Sequence, residues 1–409
     1  MTTYRSTNIE RELYGEQLKK YIDIPLVKVI TGIRRSGKSA LLELFQEDLL
    51  KITDQEHIIF IKFEDLDYSF ITDYKKLHDY VTSQIKDEKR YYVLLDEVQN
   101  IDQWEKGVNS LRLRNTDIYI TGSNSKLLSG ELSTLLGGRY VEFRLHTLSF
   151  SEFINFRKEC GIGSDNTDDE LDAYIITGGF PILSKNRYDH QTARKIIVDI
   201  NSSSILRDVV QRNNLRNVDL LQRIIAFIYD NVGNITTASN IADYFKKEHR
   251  AVDRETVYNY LQYLEDAHII EKVGRYDIRG KKLLETNEKY YLAEHSLQYA
   301  VRDYNAGNIT GILENIVYLE LLRRGFSVKI GKFGDKEVDF VAEKSECKLY
   351  VQVCYLFANE ETIEREFTPL TMIRDNYPKL VVTMDRYWNV NKDGVRGIHL
   401  KDFLLNGPG

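Results

Sequence analysis

The octapeptide Gly32–Ser39 (GIRRSGKS) matches G-x-x-x-x-G-K-[ST] at every fixed position. It follows an apolar run, Leu26–Thr31, and opens a segment in which Leu41, Leu42, Phe45 and Leu49 recur at helical spacing. Strand, loop and helix in that order are the context in which this motif carries chemistry. Backbone N–H groups of a glycine-rich turn at a helix N-terminus wrap a polyphosphate, and the helix dipole favours its charge. Gly32, Ile33, Arg34, Arg35, Ser36 and Gly37 are expected to form that cradle, with Lys38, Ser39 and Ala40 at the head of the helix. Lys38 would reach the β- and γ-phosphates and Ser39 would place its hydroxyl on magnesium, so the ligand expected is ATP with Mg2+. The bland alternative, a chance Lys-Ser after a glycine turn, does not account for the flanking strand and helix.

A second acidic site supports the first. Tyr91–Glu97 (YYVLLDE) is an apolar strand ending in two carboxylates, about 58 residues beyond Lys38. Asp96 would hold the magnesium and Glu97 would polarise the attacking water as a general base. Alone, such a pair is more often a helix cap; behind a phosphate loop it gains force. Asp117–Ser125 (DIYITGSNS) is another strand with a polar end. Ser123 and Asn124, with Thr121 behind them, are candidates to sense the γ-phosphate or the water, against the ordinary turn chemistry of Gly-Ser-Asn. Arg139, in LLGGRY, is a candidate to stabilise transition-state charge in its own subunit or a neighbouring one, the alternative being a surface salt bridge. Gly178–Pro181 (GGFP) reads as a helix stop with a glycine cap.

The elements that must position these residues alternate. Helix-like 10–22 precedes strand-like 26–31, 57–63, 91–95 and 118–121, with helical segments between. Near-continuous apolar strands alternating with helices imply an α/β fold with a parallel sheet covered on both faces. At 409 residues the chain has room for two to three domains. A net charge of −6 gives no global field for nucleic acid, so any basic surface is local. Three cysteines without a C-x-x-C pair, and scattered histidines, argue against a disulfide framework and a thiolate metal site. No apolar leader and no membrane-length apolar run appears, so a cytoplasmic protein without a membrane partner is expected.

GIRRSGKS, LLDEVQ (94–99), ITGSNSKLL (120–128), GGRY and GGFP together resemble the prokaryotic AAA-type P-loop ATPases that carry a C-terminal domain of unknown function and are related to the archaeal ATPase group. The resemblance continues through ILRDVVQR (205–212), IYDNVG (228–233), LENIVYLELLRRG (313–325), EVDF (337–340) and YVQV (350–353), nearly the whole chain. It implies an AAA-type ATP-binding domain over 1–160, a helical segment over 161–218, a winged-helix-like domain over 219–300 and a degenerate nuclease-like domain over 301–409. It also implies that Gly179 and Pro181 lie on the adenine side.

The middle region has the winged-helix order of helix, turn, helix and two-stranded wing in 237–248, 255–267 and the strands around GRYDIRGKK. Arg275, Arg279, Lys281 and Lys282 on the wing, with Asn259 and Gln262 on the second helix, suit double-stranded DNA. Asp253 and Glu255 at that helix's N-terminus oppose it, and a packing role is the alternative. Arg207 and Arg212 read either as a second phosphate contact or as a charged helix face. Residues 311–405 run αβββαβ, the core order of a restriction-endonuclease-like fold, with Glu314 and Asp339 in place of two metal ligands. The expected Glu-x-Lys reads Gln352-Val353-Cys354, which disfavours cleavage; Lys344 or Lys348 from a neighbouring loop is a candidate substitute for the lysine. Two functions remain open: an ATP-hydrolysing switch that self-associates if Arg139 acts in trans, and a nucleotide-holding recognition module with little turnover.

Overall fold

The computed structural model describes residues 8–124, 136–301, 309–385 and 391–408, without the side chains of 285 and 286. They form two compact units: residues up to Leu145 with Asp266–His268, and His146–Glu265 with Ile269 onward.

In the first unit, β1 (Val27–Thr31), β2 (Ile58–Lys62), β3 (Tyr91–Asp96), β4 (Thr116–Thr121) and β5 (Tyr140–Arg144) make one sheet in the order β2-β3-β4-β1-β5. Every pairing in it is parallel. Successive side chains point to opposite faces, and both faces are apolar. Ile30, Tyr92, Leu94 and Tyr119 pack beneath α1 (Glu12–Lys19) and α2 (Lys38–Leu49) through Leu18, Leu41, Leu42 and Phe45. Val29, Val93, Leu95 and Ile120 pack beneath α3 (Tyr74–Gln84) and α4 (Trp104–Leu111) through Leu77, Val81, Trp104 and Val108. This is an all-parallel α/β sheet covered by helices on both faces, as the apolar strands predicted.

The strands read from apolar runs fall where expected within two residues. β5 escapes such a reading because YVEFR, an edge strand, buries only Phe143. A buried ion pair joins Lys28 to Asp117, which also accepts from Tyr119 Oη at 2.9 Å, and ties β1 to β4.

The second unit holds helices 150–159, 167–177, 190–204, 218–230, 238–247 and 254–266, the last up to Glu265, then an eight-stranded mixed sheet. Its strands are β6 (Ile270–Asp277), β7 (Lys282–Leu292), β8 (Ser327–Phe333), β9 (Lys336–Lys344), β10 (Cys347–Cys354), β11 (Lys379–Thr383), β12 (Asn391–Lys392) and β13 (Val395–His399). The order β12-β13-β11-β10-β9-β8-β6-β7 makes the β6–β7 hairpin continuous with the C-terminal strands, through parallel pairing of β6 with β8. Helix 309–323 is buried almost all round, as its apolar text (ILENIVYLELL) demands. β12, β13 and helix 400–406 extend the αβββαβ order read from sequence. Residues Ile205–Gln211 are π-helical, with Arg207 exposed. No helix among the described residues is long and apolar enough to cross a membrane.

Candidate functional site

Parallel α/β sheets present ligand sites beyond the carboxyl ends of their strands. At that edge β4 lies between β1, which runs into the loop 32–37, and β3, which ends at Asp96. The loop turns sharply at Gly32, whose φ is +141°, and a Cβ there would sit 2.2 Å from Leu145 O. Only glycine fits. Arg35 takes φ +65° and Gly37 φ +101° before α2 begins. Asp73 caps α3 and Ser149 caps helix 150–159, yet no side chain caps α2, whose N-cap is Gly37. An uncapped helix start behind a glycine loop leaves backbone N–H groups and the helix dipole facing a position suited to an anion.

Within the loop Ile33 and Ser36 are buried, Arg34 half-buried and Arg35 exposed. Ser36 Oγ is buried with no hydrogen-bond partner among the described residues. The Lys38 ammonium is buried and donates to Gly32 O at 3.0 Å and Ile33 O at 3.2 Å, so it arches over the loop. Arg11, only 4 % exposed, donates to Ser36 O at 3.4 Å and braces the loop from the start of α1. Sequence spacing offered no signal for Arg11.

Asp96 is buried beside the head of α2, which begins Lys38, Ser39, Ala40. Burial raises its pKa above the ordinary carboxylate value, while hydrogen bonds from Thr121 and Ser39 pull it back. Thr121 Oγ1 donates to Asp96 Oδ1 at 2.6 Å, and the same oxygen accepts Glu97 N–H at 2.9 Å. Glu97 takes a left-handed φ of +56°, and its half-buried carboxylate accepts from Gln99 Nε2. Gly122 N donates to Ile30 O, which keeps the chain beside β1 as it enters the buried Ser123 and Asn124. Ser125 and the rest of that run lie outside the described residues. Hard oxygen donors from Ser39 and Asp96, next to an uncapped helix start, fit a magnesium–polyphosphate ligand.

Arg139 is not brought to this edge. It precedes β5, is exposed, and its carbonyl accepts from Val27 N at the far end of β1. Arg144, at the near end of β5, donates to His268 Nδ1 at 3.1 Å instead. Neither was singled out from sequence, because 124 residues separate them. Gly179 and Pro181 belong to the second unit. There a Cβ on Gly179 would lie 2.3 Å from Leu148 O, and Pro181 opens the 3-10 turn 181–184.

The second unit buries another charged cluster. Lys289 Nζ lies 3.1 Å from Glu314 Oε1, 2.7 Å from Glu337 Oε1 and 4.0 Å from Asp339 Oδ1. Burial works against the ammonium, but the three carboxylates outweigh it and hold its pKa above the ordinary value. Gln352 bridges Asp339 N and Glu366, and Val353 N donates to Asp339 Oδ2. Lys344 donates to Arg324 O and Lys348 pairs with Glu343. The cation facing Glu314 and Asp339 is therefore Lys289, which the sequence reading passed over.

Residues 25–154 match a family model described as an AAA domain, and residues 168–308 match a domain of unknown function (DUF8612). An uncharacterized protein of Haemophilus influenzae is 38% identical over 400 residues, covering 97% of this chain and 98% of its own. An uncharacterized protein of Methanocaldococcus jannaschii is 31% identical over 380 residues, covering 88% of this chain and 82% of its own. A Walker-type ATPase of Pyrococcus abyssi is similar in structure with a TM-score of 0.49 and 17% identity, covering 72% of this chain and 95% of that one. Together with its bacterial and archaeal relatives, the chain belongs to a family of AAA-domain P-loop ATPases that carry this domain of unknown function.

Proposed function

We propose that the first unit binds ATP with magnesium, hydrolyses it, and passes its nucleotide state to the second unit. The observation that carries this reading is the Thr121 hydroxyl, which joins Asp96 and the Glu97 backbone beside the head of α2. The loop N–H groups and the Lys38 ammonium bind the phosphates, Lys38 exchanging its two loop carbonyls for phosphate oxygens. Ser39 and Asp96 hold the magnesium, which when bound neutralises charge on the β- and γ-oxygens. Glu97 orients a water and takes its proton. Ser123 and Asn124 report the γ-phosphate from the end of β4.

The hydrogen bond from Gln99 to Glu97 favours a second reading. A general base held by a neighbouring amide waits for release, and the protein then stores nucleotide with little turnover until a partner docks.

In the second unit we read helices 238–247 and 254–266 with the β6–β7 hairpin as winged-helix-like, and the C-terminal strands as a degenerate nuclease-like fold. Double-stranded DNA is the partner suggested by exposed Arg279, Lys281 and Lys282 with Asn259 and Gln262. Lys289 already occupies the space between Glu314 and Asp339, which supports binding rather than cleavage.

Steady-state ATP hydrolysis by the full chain, by Lys38→Ala and by Glu97→Gln, each with and without duplex DNA, tests the proposal. Turnover lost in both variants supports the switch, and a rise with DNA supports the wing as its contact. No turnover above the Lys38→Ala background in either condition rejects the switch and leaves the storage reading.

A further inference from the structure

We propose that Arg144 is the arginine that meets the terminal phosphate in its own subunit, and that His268 positions it. The inference rests on the nucleotide site proposed above.

Register is the first argument. β5 pairs with β1 in parallel, Val27 opposite Tyr140 and Thr31 opposite Arg144. The phosphate loop begins at the residue after Thr31, so Arg144 stands at the loop edge of the sheet. Arg139 lies five residues back, about 16 Å away at strand rise, beyond the span of its own side chain. The chain after Arg144 walls the loop: Leu145 N donates to Thr31 O at 2.8 Å, and Leu145 O is the atom that excludes a side chain at Gly32.

The partner of Arg144 is the second argument. Its guanidinium donates to His268 Nδ1 at 3.1 Å. His268 is 3 % exposed, held at φ +52°, and its Nε2 is buried with no hydrogen-bond partner among the described residues. Burial, together with the positive charges of Arg144 and Lys38, keeps the imidazole neutral, well below its ordinary pKa. Arg144 and Lys38 then both act on the same imidazole at the edge where the γ-phosphate is proposed to sit. A phosphate oxygen arriving there binds the guanidinium that His268 orients, and such charge-assisted bonds are roughly twice as strong as neutral ones.

The bond also has a place in the chain. His268 belongs to the three-residue segment Asp266–His268 of the first unit, and its chain neighbours on both sides, up to Glu265 and from Ile269, belong to the second. Arg144 is thus a binding and catalytic arginine, and His268 a positioning residue.

The test measures ATP and ADP affinities by calorimetry, and kcat and KM, for the full chain and for Lys38→Ala, Arg144→Ala, Arg144→Lys, Arg139→Ala, His268→Asn and His268→Ala. Arg144→Ala is expected to lower the preference for ATP over ADP by about 10- to 100-fold, the scale of one lost charge-assisted contact, and to lower kcat further. His268→Asn, whose Oδ1 replaces Nδ1 as acceptor, should keep kcat near the parent value, while His268→Ala lowers kcat with ADP affinity unchanged. If Arg144→Ala fails to fold, Arg144→Lys reads the same ratio with charge but no fork. An ATP-to-ADP preference unchanged in both Arg144 variants overturns the inference, as does a loss seen with Arg139→Ala instead. Parent affinity for ATP that does not depend on Lys38 marks failure of the underlying site, a result distinct from either.

Discussion

Thr121 and Asp96 are joined by a 2.6 Å hydrogen bond, and the same Thr121 oxygen receives the N–H of Glu97 at 2.9 Å. One hydroxyl on β4 therefore sets both the Asp96 carboxylate, the proposed magnesium ligand, and the backbone of Glu97, the proposed general base, which takes a left-handed conformation that a non-glycine residue holds only with support. Thr121→Val keeps shape and removes both bonds. It should lower kcat by about 10- to 100-fold, the range for outer-shell partners of metal ligands, and Thr121→Ser should restore most of it. Steady-state kinetics with magnesium titration checks this.

Gly32→Ala places a Cβ 2.2 Å from Leu145 O in a backbone region closed to alanine. The wall is backbone, so the loop must shift. Nucleotide binding should be abolished, and melting should show a loss of about 1–3 kcal/mol, the usual cost of a forced φ/ψ. Gly274→Ala in β6, whose Cβ would meet nothing within 4 Å, is the control.

Asp96 predicts an opposition between stability and function. Burial raises its folded-state pKa above the ordinary 3.8, so the folded form holds the proton more tightly than the unfolded chain. Stability from this group is then lost as pH rises above 3.8 and the carboxylate ionises in place. Asp96→Asn removes that ionisation. Its nucleotide-free Tm should exceed the parent's at pH 7, with the gap closing toward pH 4, while magnesium dependence of nucleotide binding disappears. Thermal melts across pH with and without magnesium-ATP check both halves.

These residues differ in how far the chain text exposes them. The phosphate loop, Asp96 and Glu97 are legible because their chemistry is written in short contiguous motifs behind buried strands. Arg144 and His268 are not, since only the fold places residues 124 apart in contact. β5 hides for a related reason: an edge strand buries one side chain, so YVEFR lacks a period to read. Lys289 was masked by charge, because its carboxylate partners come from helix 309–323 and β9 rather than from β7. The order of two helices and the β6–β7 hairpin was readable, whereas the hairpin's continuity with the C-terminal sheet depends on β6 pairing with β8 across some fifty residues.

Lys289→Met leaves Glu314, Glu337 and Asp339 without their cation. Breaking a buried charge cluster in this way should cost about 3–5 kcal/mol. Burial raises the pKa of both Glu314 and Asp339, and loss of the ammonium raises them further. The variant should recover stability relative to the parent as pH falls and these carboxyls protonate, and Glu314→Gln added to Lys289→Met should recover part of it at pH 7. Chemical denaturation at several pH values checks the order.

Hydrolysis at the Asp96–Glu97 edge is tested most directly by what each protein holds after mixing with magnesium-ATP and rapid gel filtration. The parent should carry ADP or no nucleotide. Glu97→Gln, with phosphate binding intact and the base gone, should carry uncleaved ATP, and Lys38→Ala should carry neither. Equal amounts of uncleaved ATP on the parent and on Glu97→Gln would contradict hydrolysis at this site.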